Sequence, residues 1–267
     1  MIKGRVIFED EGEKKMEIKY PCYELKDIVE YFFEVRIPNN SITPFSIIAL
    51  PNINIVVSIY LSEKSQTFKV HREHGISDTT GDKICGSLTE AITVMQAPGT
   101  HEFAIKFKPG VMHSCLNEKI QILVDNHLPL SEFLDREVVE ELKLKQSFNE
   151  RVEFAETWLI EHLNIFKEDF KLNIVTKTIY YINNCQDYKA NVVSKQVGVS
   201  TSTLNRYFKE VLGMSPKQCF RALRFRSALK NYRSKGSCDL YDELGYTDFS
   251  HFVKEAKSLA NEIPSKL

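Results

Sequence analysis

An α+β fold is predicted for this chain, and three observations predict it. Short alternating stretches fill the first part, helical periodicity takes over from Pro129, and two glycine-punctuated helix pairs close the sequence. The expected architecture has a mainly antiparallel β barrel or sandwich with accessory helices over residues 1–145. A helical linker follows over 146–167, then an all-α domain over 168–267 in which a long helix joins two helix-turn-helix subdomains. The 267 residues suffice for two cores of this kind.

In the first half the clearest strands are residues 53–60, 91–95 and 103–108, rich in Ile, Val and Phe with polar residues interleaved. Turn signals separate them at Pro51-Asn52, Ser77-Asp78, Gly81-Asp82 and Pro98-Gly99. Several short strands divided in this way close most readily as a small barrel or sandwich. Residues 20–33 read as an opening segment, a short helix and a strand. Beyond Pro129, residues 150–163 carry Val152, Ala155, Leu159 and Leu163 on one side of a helix. Residues 170–185 carry Ile174, Thr178 and Ile182 at helical spacing.

The most informative stretch starts at residue 192. A short helix over 192–197 runs into Gly198, where a tight turn needs a residue that takes positive φ cheaply. Ser200 is placed to cap the next helix. Leu204, Phe208, Val211 and Leu212 then recur at i, i+4, i+7 and i+8, one apolar face. Gly213 ends that helix, and Ser215-Pro216 starts another as N-cap and first turn. Two short helices about a glycine turn form the motif whose second helix enters the major groove. Asn205 and Arg206 lie off the apolar face, and these side-chain types make bidentate contacts to adenine and guanine edges. Ser202 is small enough to permit close approach.

A second, imperfect copy spans residues 239–254, with Gly245 at its turn, Asp248 as cap, and Pro264 placed as Pro216 is in the first. Between the copies, residues 216–234 read as one helix carrying Phe220, Phe225, Ala228 and Tyr232. At about 1.5 Å per residue it would hold the recognition helices roughly 30 Å apart, near one turn of duplex. Charge is unevenly spread beneath a net value of −1. Residues 187–235 hold eleven Lys and Arg against two Asp and Glu, whereas 236–267 hold three against six. Phosphate neutralisation therefore falls to the first copy and the long helix, with Lys195, Lys209, Lys217, Arg221 and Arg226 as candidates.

Residues 168–267 resemble the double helix-turn-helix domain of AraC-type transcription regulators (the AraC/XylS type). The resemblance is carried by Gly198, Ser200, Leu204, Arg206, Phe208, Lys209, Gly213, Ser215, Pro216, Arg224, Ala228, Gly245, Tyr246, Asp248, Ser250, His251, Phe252 and Pro264. It implies base-reading positions at Thr201, Ser202, Asn205 and Arg206 in the first recognition helix, and at Thr247, Phe249, Ser250 and Lys254 in the second. It places His251 in packing or phosphate contact. The second copy departs from the family pattern at Tyr241, Ala256 and Asn261. More weakly, the first half resembles a sensor-like domain that precedes this module in some regulators, through Tyr20-Pro21, Leu25, Pro51-Asn52 and residues 107–110. In such proteins that half binds an effector or pairs protomers.

These features lead to a regulator whose partner is double-stranded DNA, with a small-molecule effector or a homodimer contact acting through the first half. The alternative is an interaction or scaffold protein with a degenerate DNA-binding domain, suggested by the acidic second copy and Tyr241. No enzyme, cofactor or metal is expected. His71 and His74, three apart, would point to opposite faces of a strand, and no phosphate loop or nucleophile elbow occurs. The six cysteines show no zinc spacing and suit a reducing cytoplasm. No apolar run is long enough for a membrane span, and the first residues are unlike a secretory signal.

Overall fold

A computed structural model describes residues 5–7, 16–41, 44–71, 75–78, 81–166, 169–235 and 244–267. Among the described residues of the first half there are eleven strands: β1 (Arg5–Ile7), β2 (Met16–Lys19), β3 (Val29–Arg36), β4 (Phe45–Ala49), β5 (Val56–Tyr60), β6 (Thr67–His71), β7 (Gly75–Asp78), β8 (Lys83–Cys85), β9 (Ile92–Gln96), β10 (His101–Phe107) and β11 (His127–Pro129). They make a five-stranded sheet in the order β1-β4-β9-β6-β7 and a six-stranded sheet in the order β11-β8-β5-β10-β3-β2. Every pairing is antiparallel except β1 with β4. The expected strands are present with shifted ends. Residues 53–55 precede β5 because the chain there forms an isolated bridge, Asn52 with Leu88, before pairing begins.

Among the described residues nine α-helices follow: α1 (His113–Leu116), α2 (Lys119–Ile122), α3 (Arg136–Leu144), α4 (Phe148–Glu161), α5 (Phe170–Cys185), α6 (Ala190–Gln196), α7 (Thr201–Leu212), α8 (Pro216–Lys235) and α9 (Phe249–Ala260). Ser147 caps α4 through a reciprocal box with Glu150, and Asp169 caps α5 by accepting from the Leu172 N–H at 2.7 Å.

The outer face of the six-stranded sheet is apolar. Phe32, Val57, Ile59, Phe103, Ile105 and Phe107 pack there with Val139, Leu142, Phe148, Val152, Ala155 and Leu159. Within residues 146–167, α4 packs into the N-terminal core. Its Arg151 donates through Nε to Glu34 Oε2 of β3 at 2.9 Å, and His101 Nε2 meets the other oxygen at 2.6 Å. The second core lies between the sheets and holds Phe33, Val35, Phe45, Ile47 and Ala104.

The two halves share apolar contacts through the end of β4 and the segment that leads from it to β5. Ile48 and Leu50 pack with Phe225, Leu229, Tyr246 and Leu259, while Ile53 packs with Leu172, Phe208 and Phe220. The Ala91 N–H also donates to the Leu259 carbonyl at 2.6 Å.

Candidate nucleic-acid interface

The first helix-turn-helix consists of α6, a turn at Gly198 and α7. Gly198 has φ +74°, the left-handed region that glycine enters at little cost. Ser200 accepts from the Thr203 N–H at 3.0 Å, as the cap pattern requires. Leu204, Phe208, Val211 and Leu212 are buried with Val193, Leu172 and Val175, so the apolar face of α7 is consumed by packing on α5 and α6. That packing turns the opposite face outward. Thr201, Ser202, Asn205, Arg206 and Lys209 are all exposed. The Thr201 hydroxyl lies 3.3 Å from that of Ser194 in α6, and the Arg206 guanidinium sits 5.2 Å from the Tyr207 ring centre. Lys195 and Lys217 are exposed on the neighbouring helices.

Gly213, again at φ +74°, ends α7. Ser215 then accepts from the Gln218 N–H, the Gln218 side chain accepts from the Ser215 N–H, and Pro216 opens α8. The α8 helix runs 20 residues, which gives a length of about 30 Å.

In the second unit, Asp248 caps α9 by accepting from the His251 N–H at 2.8 Å. Thr247, Phe249, Ser250 and Lys254 are exposed. Phe249 also stacks on Tyr232 of α8 at 5.9 Å. The Thr247 N–H approaches Nδ1 of half-buried His251 at 3.4 Å, and the ring lies edge-on to Tyr246. Tyr241 and the rest of residues 236–243 lie outside the described residues.

Buried Glu255 of α9 holds the second unit together. It accepts from Arg224 at 2.6 Å, from Arg221 at 3.3 Å and from the Tyr246 hydroxyl. Burial and the nearby Glu255 carboxylate push the Tyr246 phenol above its ordinary range, so it stays a donor. Arg221 also donates to Ser258 at 2.8 Å. Of the cations expected at phosphates, half-exposed Arg221 also pairs with Glu255, and Arg226 is among the residues that line a cavity of the β half. Sequence reasoning read only their charge, whereas their direction follows from how α8 packs.

Residues 193–267 match a family model described as "Helix-turn-helix domain". The C-terminal region is a helix-turn-helix domain of the AraC type. Such a domain binds DNA in transcription regulation. Residues 18–129, ahead of the AraC-type domain, match a model described as "Domain of unknown function (DUF6597)". No curated protein matches the chain. Among solved structures, ToxT from Vibrio cholerae is 10% identical, with 95% of this chain and 97% of that one covered and a TM-score of 0.47. ToxT from strain SCE256 with a bound unsaturated fatty acid is 10% identical, with 96% of each chain covered and a TM-score of 0.47. The AraC-like transcriptional activator CuxR is 11% identical over 81% of this chain and 88% of its own, with a TM-score of 0.31. Among the described residues no helix is long and apolar enough to cross a membrane.

The barrel half contains a feature that sequence reading missed. A cavity of about 130 Å³ lies between the two sheets, and its lining includes Tyr31, Phe33, Lys83, Gln96, Glu102 and Arg226. Its signal in the sequence is the alternation of β10, where Glu102, Ala104 and Lys106 share one face. Such a face looks solvent-directed until the second sheet is placed over it.

Proposed function

We propose that this protein is a sequence-specific transcription regulator in which the β half tunes docking of the AraC-type domain on double-stranded DNA, through an effector or a protein contact. The observation that carries this reading is α7, a helix whose apolar face is fully buried and whose opposite face presents Ser202, Asn205, Arg206 and Lys209 to solvent. Ser202, Asn205 and Arg206, with Thr201 beside them, read base edges in the major groove. Lys195, Lys209 and Lys217 neutralise phosphates. In the second unit Thr247, Ser250 and Lys254 reach the next groove, with Phe249 and His251 holding their helix in place. The role is one of binding, not catalysis.

A salt titration on mixed-sequence duplex tests the reading. Three phosphate contacts give a slope of log affinity against log salt of about −2.7. Absence of binding even at low salt would overturn it and leave the domain as a protein-interaction module.

A further inference from the structure

Helix α7 carries one acidic residue, Glu210, and it stands four positions after Arg206. Residues at i and i+4 of a helix are neighbours on one face, and opposite charges there attract. Left to itself, Glu210 would draw the Arg206 guanidinium back along the helix and away from a base edge. The structure shows a different pairing. Lys171, in the first turn of α5, meets Glu210 at 2.5 Å. Among the described residues Arg206 joins no ion pair, and its guanidinium lies 5.2 Å from the Tyr207 ring centre.

The position of Lys171 is built into the fold. Asp169 caps α5 by accepting from the Leu172 N–H at 2.7 Å, which fixes the first turn. Buried Leu172 packs in the core that holds Leu204, Phe208 and Val211 of α7. Its neighbours Phe170 and Lys171 therefore run beside α7, and Phe170 meets the Tyr207 ring edge-on at 6.2 Å. Pairing with Glu210 holds the Lys171 ammonium above its ordinary value, while nearby Arg206 pushes the other way. The carboxylate is thus committed to the lysine even though a second cation lies within reach.

Both members of the pair are partly exposed, and such pairs contribute little to folding. What the pair changes is the availability of Arg206. A guanidinium attracted to a ring keeps its five N–H donors for a planar acceptor pair such as guanine O6 and N7. A carboxylate would engage up to two of those donors itself.

We propose that Lys171 is a positioning residue for base recognition: by engaging Glu210 it leaves the Arg206 guanidinium free to meet a guanine edge in the major groove. Lys171 belongs to neither helix of the first helix-turn-helix and acts through Glu210 without touching the base. The inference deepens the function given above and rests on it.

The test is selection by the full chain from a pool of duplexes with a randomised segment of about 20 base pairs, roughly two turns, and sequencing of the bound fraction. Comparing the wild type with Arg206→Ala identifies the position that Arg206 reads. There Lys171→Met is expected to lower the preference for the favoured base by about two- to fivefold, the scale of one exposed ion pair formed by Arg206 instead. Lys171→Arg, which can still pair with Glu210, keeps the wild-type preference, as does Glu210→Gln. Combining Lys171→Met with Glu210→Gln restores it, because no carboxylate is left to take the arginine. Urea midpoints like that of the wild type show that a lost preference is not a lost fold, and Lys171→Gln gives the same comparison should Lys171→Met unfold. An equal loss of affinity for all duplexes with unchanged base preference would overturn the proposal and make Lys171 a phosphate contact. Failure of the double change to restore the preference would overturn it too, as would identical preferences in the wild type and Arg206→Ala. Should the wild type enrich no sequence at all, the DNA-reading function itself fails and takes this inference with it, a result distinct from the others.

Discussion

Arg224 of α8 donates to Glu255 of α9 at 2.6 Å, and this contact ties the long helix to the second recognition helix. Arg221 and Tyr246 converge on the same carboxylate. The second unit therefore spends part of its positive charge internally. Its surroundings are acidic as well, with six Asp and Glu against three Lys and Arg over residues 236–267.

Glu255→Ala is expected to destabilise the protein by about 3 kcal/mol, because it strands a half-buried Arg224 and the Tyr246 hydroxyl. Urea unfolding of the full chain measures this. A change below about 0.5 kcal/mol, the scale of an ordinary surface substitution, would show that the cluster contributes nothing.

Glu34 predicts an acid-side instability. Its burial alone would raise its pKa, but donation from His101 and Arg151 outweighs burial and holds the folded value below the ordinary one. The unfolded chain thus binds the proton more readily. The stabilisation is full above the ordinary glutamate value of about 4.3, and is lost as pH falls through the lower folded value. Below about pH 4.3 the wild type should lose unfolding free energy more steeply than Glu34→Gln. Parallel slopes would refute the assignment.

Arg206→Ala and Lys209→Ala should behave differently on DNA. The arginine change is expected to cost about 1–3 kcal/mol at one operator position and to relax selectivity there. The lysine change should weaken all sequences alike and reduce the salt slope by about one. Binding measured across a set of operator variants separates the two. A uniform loss for Arg206→Ala would move it to the phosphate class.

The two turn glycines of the first unit also differ. Both have φ +74°, but a Cβ at Gly198 meets nothing within 4 Å, whereas one at Gly213 would lie 2.5 Å from the Ile120 carbonyl oxygen and 2.8 Å from Val124. Gly198→Ala should cost about 1–2 kcal/mol of backbone strain. Gly213→Ala should cost at least about 1 kcal/mol more and speed amide exchange in α2, where the halves meet. Equal stabilities for the two variants would rule out close docking at Gly213.

Local signals carried most of the C-terminal domain. The caps at Ser200 and Asp248, the turns at Gly198 and Gly213, and the limits of α5 and α7 depend on residues within four positions of one another, so a linear reading reaches them. The exposed stripe of α7 follows from 3.6-residue periodicity alone. Arg221 and Arg226 were not legible in that way. Both are cations on one helix, and only the position of α9 and of the β half decides that one meets Glu255 and the other enters the cavity.

The β half shows the same limit from the other side. Alternation along β10 reveals two faces, but the apolar face of Phe103, Ile105 and Phe107 lies under α3 and α4, while the polar face lies inside. Likewise α4 reads as an amphipathic helix wherever it goes, and its partners in the N-terminal core lie far off in the chain, among them Glu34, which accepts from Arg151 117 positions away. Helix ends, turns and the exposed polar stripe of α7 were determined by the amino-acid order itself, since their hydrogen bonds close within a few residues. The cavity, the direction of each α8 arginine and the docking of the two halves were decided only in three dimensions, because the groups that satisfy those charges and fill those contacts come from distant parts of the chain.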